Sequence, residues 1–296
     1  LIIENNLQPN IYSFQVLNDI IHAAEAKGLE DLPIHIKIDS GMHRLGFYQE
    51  EIPALIERLQ QQKAVRVASV FSHLAGSDEA QFDSFTHEQA RYFQACATQL
   101  QSALNYPIIK HLCNTAGIER FPEYHYDMCR LGIGLYGMSF LQMPAAGCRK
   151  PAAGSQALDT RSRQPDIRNV CTLKTTILSI KTVPANATIG YGRHTTLSEP
   201  RQIAVIPIGY ADGFDRRFSN YAGEVLVRGK RCPVVGNVCM DQAMIDVTGT
   251  DAQPGDYAII FGDQLPMQEL AHKLNTIPYE VLTSISRRVQ RSYFYE

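Results

Sequence analysis

The stretch that most limits what this chain can fold into is Ile34-His35-Ile36-Lys37-Ile38-Asp39, which runs on into Ser40-Gly41-Met42-His43-Arg44-Leu45-Gly46-Phe47. Strict alternation sets Ile34, Ile36 and Ile38 on one face and His35, Lys37 and Asp39 on the other, which is the period of a strand. The isoleucine face is expected to pack against helices. The opposite face carries a lysine and a carboxylate into an interior, where each must be paired or chemically altered. A strand whose carboxyl end delivers charged residues to a Gly-containing loop is how parallel barrels build active sites.

The surrounding rhythm supports that reading. Short strand-like segments at 10–13, 34–39, 65–73, 107–114 and 128–137 alternate with helical ones at 14–27, 50–62, 82–104 and 115–120. On pattern alone a doubly wound sheet and an eight-stranded barrel both fit. The barrel is favoured by where the polar residues fall: Lys37, Asp39 and Arg44 on one strand and its exit, His73 on the next, Asn114 and Thr115 on the next, and Arg130 on the last. Successive strands thus send polar groups to one rim.

Between 143 and 169 the texture turns to Pro, Ala, Gly, Ser, Arg and Gln with little periodicity, and a linker or insertion is expected there. Strand-like segments follow at 170–183, 187–196, 202–208, 223–227, 233–238, 243–247 and 257–261, with helices near 266–274 and 279–288. The expected organisation is therefore an α/β part at 1–142, a connection at 143–169 and a mostly β part at 170–296.

Composition excludes several partner classes. A net charge of −2 offers no basic field for nucleic acid and no polybasic segment for anionic membranes. No apolar run approaches the length of a membrane span. The seven cysteines lack CxxC spacing, so reduced thiols and a cytoplasmic location are expected, and no metal. The chain opens on Leu1-Ile2-Ile3-Glu4 without an initiator Met, and reads as one entered in its middle.

Several residues carry a chemical reading beside a plainer one. Lys37 is accounted for by an ion pair with Asp39 or by snorkelling to the rim; the sharper reading is a functional lysine, either imine-forming or converted by carbon dioxide to a carbamate. In Arg130-Leu131-Gly132-Ile133-Gly134 the glycines let the Gly132 and Ile133 N–H groups approach an anion, with the Thr115 hydroxyl beside them; tight packing at a strand end explains the glycines as well. Tyr191 lies between Gly190 and Gly192, which exposes its hydroxyl for acid–base work. Gly209-Tyr210-Ala211-Asp212-Gly213 and Asn237-Val238-Cys239-Met240-Asp241-Gln242 read as turns.

Taken together these stretches, with Phe71-Ser72-His73-Leu74-Ala75, His111-Leu112-Cys113-Asn114-Thr115-Ala116 and Ser286-Arg287-Arg288-Val289, resemble the alanine racemases over nearly the whole chain. The resemblance implies a pyridoxal 5'-phosphate enzyme with a (β/α)8 TIM-type barrel followed by a mostly β C-terminal domain. It implies two-base interconversion of L- and D-alanine in a homodimer with composite sites, supplying D-alanine for peptidoglycan. Tyr191 matches the base that takes the α-proton of L-alanine, reaching the site of the other subunit, with His73 in support. Met240 and Asp241 match substrate-side residues, and Arg44 a residue touching cofactor phenolate and substrate. Arg130 matches the donor to the pyridine nitrogen, while Asn114, Thr115, Gly132, Ile133 and Arg287 fall at cofactor-binding positions. Lys37 matches a lysine that family members carry as a carbamate.

Two departures from the family pattern stand out. Arg287 occupies the position of a phosphate-binding tyrosine, and no Lys-Ala-(Asn/Asp)-Ala-Tyr-Gly-type stretch occurs, so the imine-forming lysine and roughly the first three barrel strands are absent. A chain lacking the second base is expected to be inactive alone. The alternatives are a broader amino-acid racemase acting on serine or lysine, and a non-catalytic module of a larger cell-wall fusion enzyme.

Overall fold

The computed structural model describes residues 1–141 and 167–294, and the chain divides into two compact units, Leu1–Ile167 and Arg168–Glu296. Most of the expected connection at 143–169 lies outside the described residues.

In the first unit the elements run β1 (Asn10–Ile11), α1 (Phe14–Glu25), β2 (Leu32–Lys37), α2 (Ile52–Gln60), β3 (Val65–Phe71), α3 (Asp83–Leu104), β4 (Ile109–His111) and α4 (Thr115–Arg120). The strands form one parallel sheet in the order β1-β2-β3-β4, each followed by a helix, which is the unit of an α/β barrel wall. Ser13 caps α1 by accepting from the Val16 N–H at 3.4 Å, and the helix buries Leu17, Ile21 and Ala24 along one stripe. In α3 the buried residues Thr86, Gln89, Ala90, Phe93, Cys96, Ala97 and Leu100 keep helical spacing. These stripes and the fully buried Ile34, Ile36 and Ile38 form one core, as the alternation in β2 requires.

The register between β2 and β3 shifts once. Ile34 pairs with Val67 but His35 pairs with Ser69, so Ala68 is an extra residue and β3 carries a bulge. A one-residue slip exchanges the faces of a strand. Beyond Ala68 it is therefore Ser69 and Phe71 that share the face of His35 and Lys37, while Val70 joins the core.

Sequence periodicity placed a strand at 128–137. The structure has only a bridge between His111 and Met128 there, followed by a 3-10 turn over Ile133–Tyr136. Gly132, Gly134 and Gly137 favour the turn, because glycines in succession give up little by leaving an extended strand.

The second unit comprises β5 (Leu173–Thr176), β6 (Ser179–Val183), β7 (Thr188–Ile189), β8 (Thr195–Thr196), β9 (Arg201–Ile206), β10 (Glu224–Val227), β11 (Lys230–Val235), β12 (Ala243–Asp246), β13 (Tyr257–Phe261), α5 (Met267–Lys273) and α6 (Pro278–Ser284). Seven strands form an antiparallel sheet in the order β5-β13-β10-β11-β12-β9-β6, and β7 pairs with β8 in a separate ribbon. Strands β5 and β6 lie at opposite ends of that order, yet only Ile177 and Leu178 join them. A flat sheet would hold its outer strands about 29 Å apart, whereas so short a link reaches roughly 10 Å, so the sheet must curl until its ends meet. Main-chain bonds at that link agree: Ile177 N–H donates to Asp256 O beside one end at 2.9 Å, and Leu178 N–H to Val205 O beside the other at 2.8 Å. The expected continuous strand at 170–183 is thus two strands with a break, and 187–196 is a short ribbon whose middle leaves the sheet.

Candidate active site

In the first unit Arg130 is anchored by main-chain and side-chain acceptors. One terminal nitrogen donates to His111 O at 3.1 Å and to His111 Nδ1; the other donates to Leu112 O at 2.9 Å and to Ser72 O. Phe71 lies stacked on the His111 ring, with centroids 4.9 Å apart and planes inclined by 3°. Lys37 Nζ sits 4.9 Å from the Phe71 centroid and Arg130 Cζ 5.4 Å, so one aromatic ring faces two cations. Sequence reasoning missed Phe71 and His111 as site residues. The only signal for them is that both share a strand face with residues already suspected, and recognising it needs the register.

Asp39 does not serve as the ion partner of Lys37. Its Oδ1 accepts from the Gly41 N–H at 3.1 Å and the His43 N–H at 2.9 Å, closing the turn that leads to Arg44, and His43 Nδ1 lies 3.8 Å from Oδ2. Lys37 is buried, and burial first, then the positive charges of Arg44 and Arg130, lowers its pKa, with Asp39 opposing. His73 and His111 are each pushed down to about 4, by burial first and then by Arg130 and other neighbouring groups. The rim is therefore a positive site whose two imidazoles are neutral at pH 7.

That neutrality has a consequence for stability. A histidine that titrates near 6.5 when unfolded and near 4 when folded binds its proton only in the unfolded chain between those values. Lowering the pH from about 6.5 to 4 should thus destabilise the first unit, with no further loss from these two groups below 4. Denaturant titrations at a series of pH values, comparing the chain with His73→Asn, should show a shallower slope in the variant; equal slopes would refute the assignment for His73.

Thr115 and the glycine turn form the second part of the site. Thr115 Oγ1 accepts from the Gly132 N–H at 3.0 Å and the Gly134 N–H at 3.2 Å. A hydroxyl has two acceptor positions and one proton, so with both acceptor positions taken that proton remains to be donated. The Gly132 N–H, expected to meet the anion itself, is instead engaged with Thr115. Asn114 caps α4: its Oδ1 accepts from the Gly117 N–H and the Ser77 hydroxyl, both at 2.9 Å, and its Nδ2 donates to Leu74 O at 3.3 Å. It fixes where Thr115 stands. Ile133 is buried beneath this turn.

The other expected site residues belong to the second unit. Tyr191 occupies the turn between β7 and β8 and is 72% exposed; its carbonyl accepts from Asn237 Nδ2 at 2.7 Å. Met240 and Asp241 lie in the exposed turn before β12, and that turn is clamped to the one after β9: Tyr210 N–H donates to Cys239 O at 3.0 Å and Ala211 N–H to Met240 O at 2.9 Å. The clamp needs Gly209, where an added Cβ would lie 2.3 Å from Cys239 O and 2.5 Å from the Met240 carbonyl. Because those neighbours are backbone, Gly209→Ala is expected to destabilise the second unit by about 3 kcal/mol, read as a lower denaturation midpoint; an unchanged midpoint would contradict the clamp. Asp212 accepts from the Gly209 N–H at 3.0 Å and lies 3.4 Å from Arg288 Nε, while the neighbouring Arg287 is exposed.

Residues 1–140 match the model of the alanine racemase N-terminal domain, and residues 170–293 that of the C-terminal domain. Alanine racemase 1 of Oceanobacillus iheyensis is 38% identical over 98% of this chain and 74% of its own length. A solved alanine racemase of Clostridium difficile is 34% identical, with a TM-score of 0.82 over 97% of this chain and 71% of its own. That of Bartonella henselae, described with covalently bound pyridoxal phosphate, is 27% identical, with a TM-score of 0.81 over 99% of this chain and 75% of its own. A parallel α/β unit with a cationic rim, a curled antiparallel sheet bearing an exposed tyrosine, and these likenesses lead to one conclusion: the chain belongs to the alanine racemase family.

Proposed function

We propose that this chain carries out proton transfer at the α-carbon of alanine with pyridoxal 5'-phosphate held on the rim of the first unit. The observation that carries the reading is Arg130, a half-buried guanidinium fixed by His111, Ser72 and Leu112, beside which Asp39 is engaged by the Gly41 and His43 N–H groups. The donor set fits the cofactor. Thr115 has a hydroxyl proton for a phosphate, Gly132 and Ile133 continue that turn, and Arg44 and Arg130 supply positive charge.

When bound, pyridoxal phosphate supplies the electron sink that acidifies the α C–H of the amino acid. Arg130, which never gives up its proton, would donate to the ring nitrogen and so would favour an unprotonated ring, a weaker sink that disfavours side reactions. Tyr191, brought by a second copy of the chain, takes the α-proton of L-alanine on its phenolate oxygen and becomes the hydroxyl, and neutral His73 supports it by donating a ring N–H to that phenolate. Met240 and Asp241 from that copy face the substrate, and Arg287 supplies a cation for the phosphate. The Lys37 amine, whose lowered pKa makes its neutral form more accessible, adds to carbon dioxide with loss of one proton, and the resulting carbamate turns its repulsion with Arg44 into attraction.

The covalent anchor is a separate matter. The 296 residues contain no stretch of the lysine-bearing type described above, so we infer that the imine-forming second base is not among them and that the chain alone does not racemise alanine. Racemisation that supplies D-alanine for peptidoglycan in the cytoplasm then requires that lysine. The test is the loss of the α-proton signal of L-alanine in D2O with the cofactor-loaded chain. Exchange of L-alanine above the free-cofactor rate, and faster than that of L-serine or L-lysine, supports the reading; equal rates for all three favour broad specificity, and none above background favours a binding module.

A further inference from the structure

Behind Arg130 a line of hydrogen bonds crosses the inward face of three strands. His111 Nε2 lies 3.0 Å from Ser69 Oγ, Ser69 Oγ 2.6 Å from His35 Nδ1, and His35 Nε2 2.9 Å from Gln8 Oε1. The line exists because of the bulge at Ala68: without it Ser69 would share the core face with Val67, and His35 would meet Ala68 instead. His111 then reaches Ser69 from two positions farther along the sheet, where it pairs with Phe71.

Each link has only one direction. A guanidinium has donors alone, so the His111 Nδ1 that receives Arg130 carries no proton. Neutral His111 must then hold its proton on Nε2 and donate it to Ser69. At the far end Gln8 Oε1 only accepts, so His35 donates from Nε2 and presents a bare Nδ1, to which the Ser69 hydroxyl donates. The same proton placement satisfies every group from Arg130 to the exposed Gln8.

We propose that Ser69, His35 and Gln8 are positioning residues for Arg130: they hold His111 in the Nε2–H tautomer, so that its Nδ1 lone pair always faces the guanidinium. Were His111 to take the Nδ1–H form, two N–H groups would oppose each other and Arg130 would lose its one side-chain acceptor among the described residues. The burial that keeps both imidazoles short of protons acts in the same sense. The purpose assigned to Arg130 rests on the function proposed above, but the proton placement rests on the imidazole nitrogens alone.

The test is long-range proton–nitrogen NMR of the 15N-labelled chain at pH 7, without cofactor. His111 and His35 should each show a single protonated nitrogen, Nε2. Ser69→Ala should abolish that single-tautomer signature at both rings, and Ser69→Thr, which restores the hydroxyl, should recover it. If Ser69→Ala fails to fold, Gln8→Ala at the exposed end carries the test, with the signature lost at His35. A protonated Nδ1 at His111 in the unaltered chain, or signatures unmoved in the folded variants, overturns the proposal. Signatures as expected in a chain that binds no pyridoxal phosphate would sink the functional reading and leave the relay standing.

Discussion

Tyr191→Phe is expected to slow α-proton exchange of L-alanine by roughly 10²–10⁴-fold, the usual contribution of a positioned general base. Tyr191 stands in the β7–β8 turn between Gly190 and Gly192, both in the left-handed region with φ of +67° and +75°. That backbone turns the residue out of the ribbon, so its ring lies largely in solvent rather than in the core. Removing one exposed oxygen therefore costs the fold little, and the variant should keep its denaturation midpoint and its affinity for pyridoxal phosphate. A rate within twofold of the unaltered chain would remove Tyr191 from the mechanism. A large fall in rate together with a lower midpoint would mean that the hydroxyl is structural.

Arg130→Ala is expected to act on stability first, lowering the unfolding free energy of the first unit by about 3 kcal/mol, in line with the cost of leaving buried acceptors unsatisfied. The variant deprives Ser72 O, His111 O, Leu112 O and His111 Nδ1 of one shared donor. Because Arg130 is only half-buried, water can reach some of these acceptors, which keeps the loss below the sum of separate deletions. Arg130→Lys should recover only part of it, since an ammonium is a point donor and cannot reproduce the planar fork. Urea titrations read the change directly, and a shift under 1 kcal/mol, the size of a single ordinary hydrogen bond, would show that the guanidinium is not the keystone of the rim. The same experiment bears on how Arg130 can be studied: substitutions meant to alter its action on the cofactor also disturb its own anchorage.

The α/β character of the first unit was legible because its signals are periodic. Alternation in 34–39 and helical spacing in α3 survive folding almost unchanged, and the short helix at 115–120 was bounded as found. What failed to show depends on partners distant in sequence. The break at Ile177 and Leu178 carries no Gly or Pro, so nothing local announces that β5 and β6 belong to opposite ends of the sheet. The bulge at Ala68 is visible only as a change of phase, from Val65 and Val67 to Val70, and it becomes meaningful once His35 is known to pair with Ser69.

The site shows the same division. Lys37, Arg44, Arg130 and Thr115 stood out by residue type and position at strand ends. His111 did not, because its role follows from the registers of three strands acting together. The expected pairing of Lys37 with Asp39 illustrates the opposite error: two residues on one strand face looked like partners, but the turn after the strand engages Asp39 first, leaving the lysine over Phe71.

The measurement that bears most directly on the central claim is to load the chain with pyridoxal phosphate, treat it with borohydride, and map modified lysines by peptide mass spectrometry beside an equilibrium-binding measurement. The account predicts saturable binding that Arg130→Ala weakens, with only scattered, substoichiometric labelling and none concentrated at Lys37. Stoichiometric labelling at Lys37 would contradict it, because that residue would then be the covalent anchor of the cofactor and not the carbamate proposed beside Arg44.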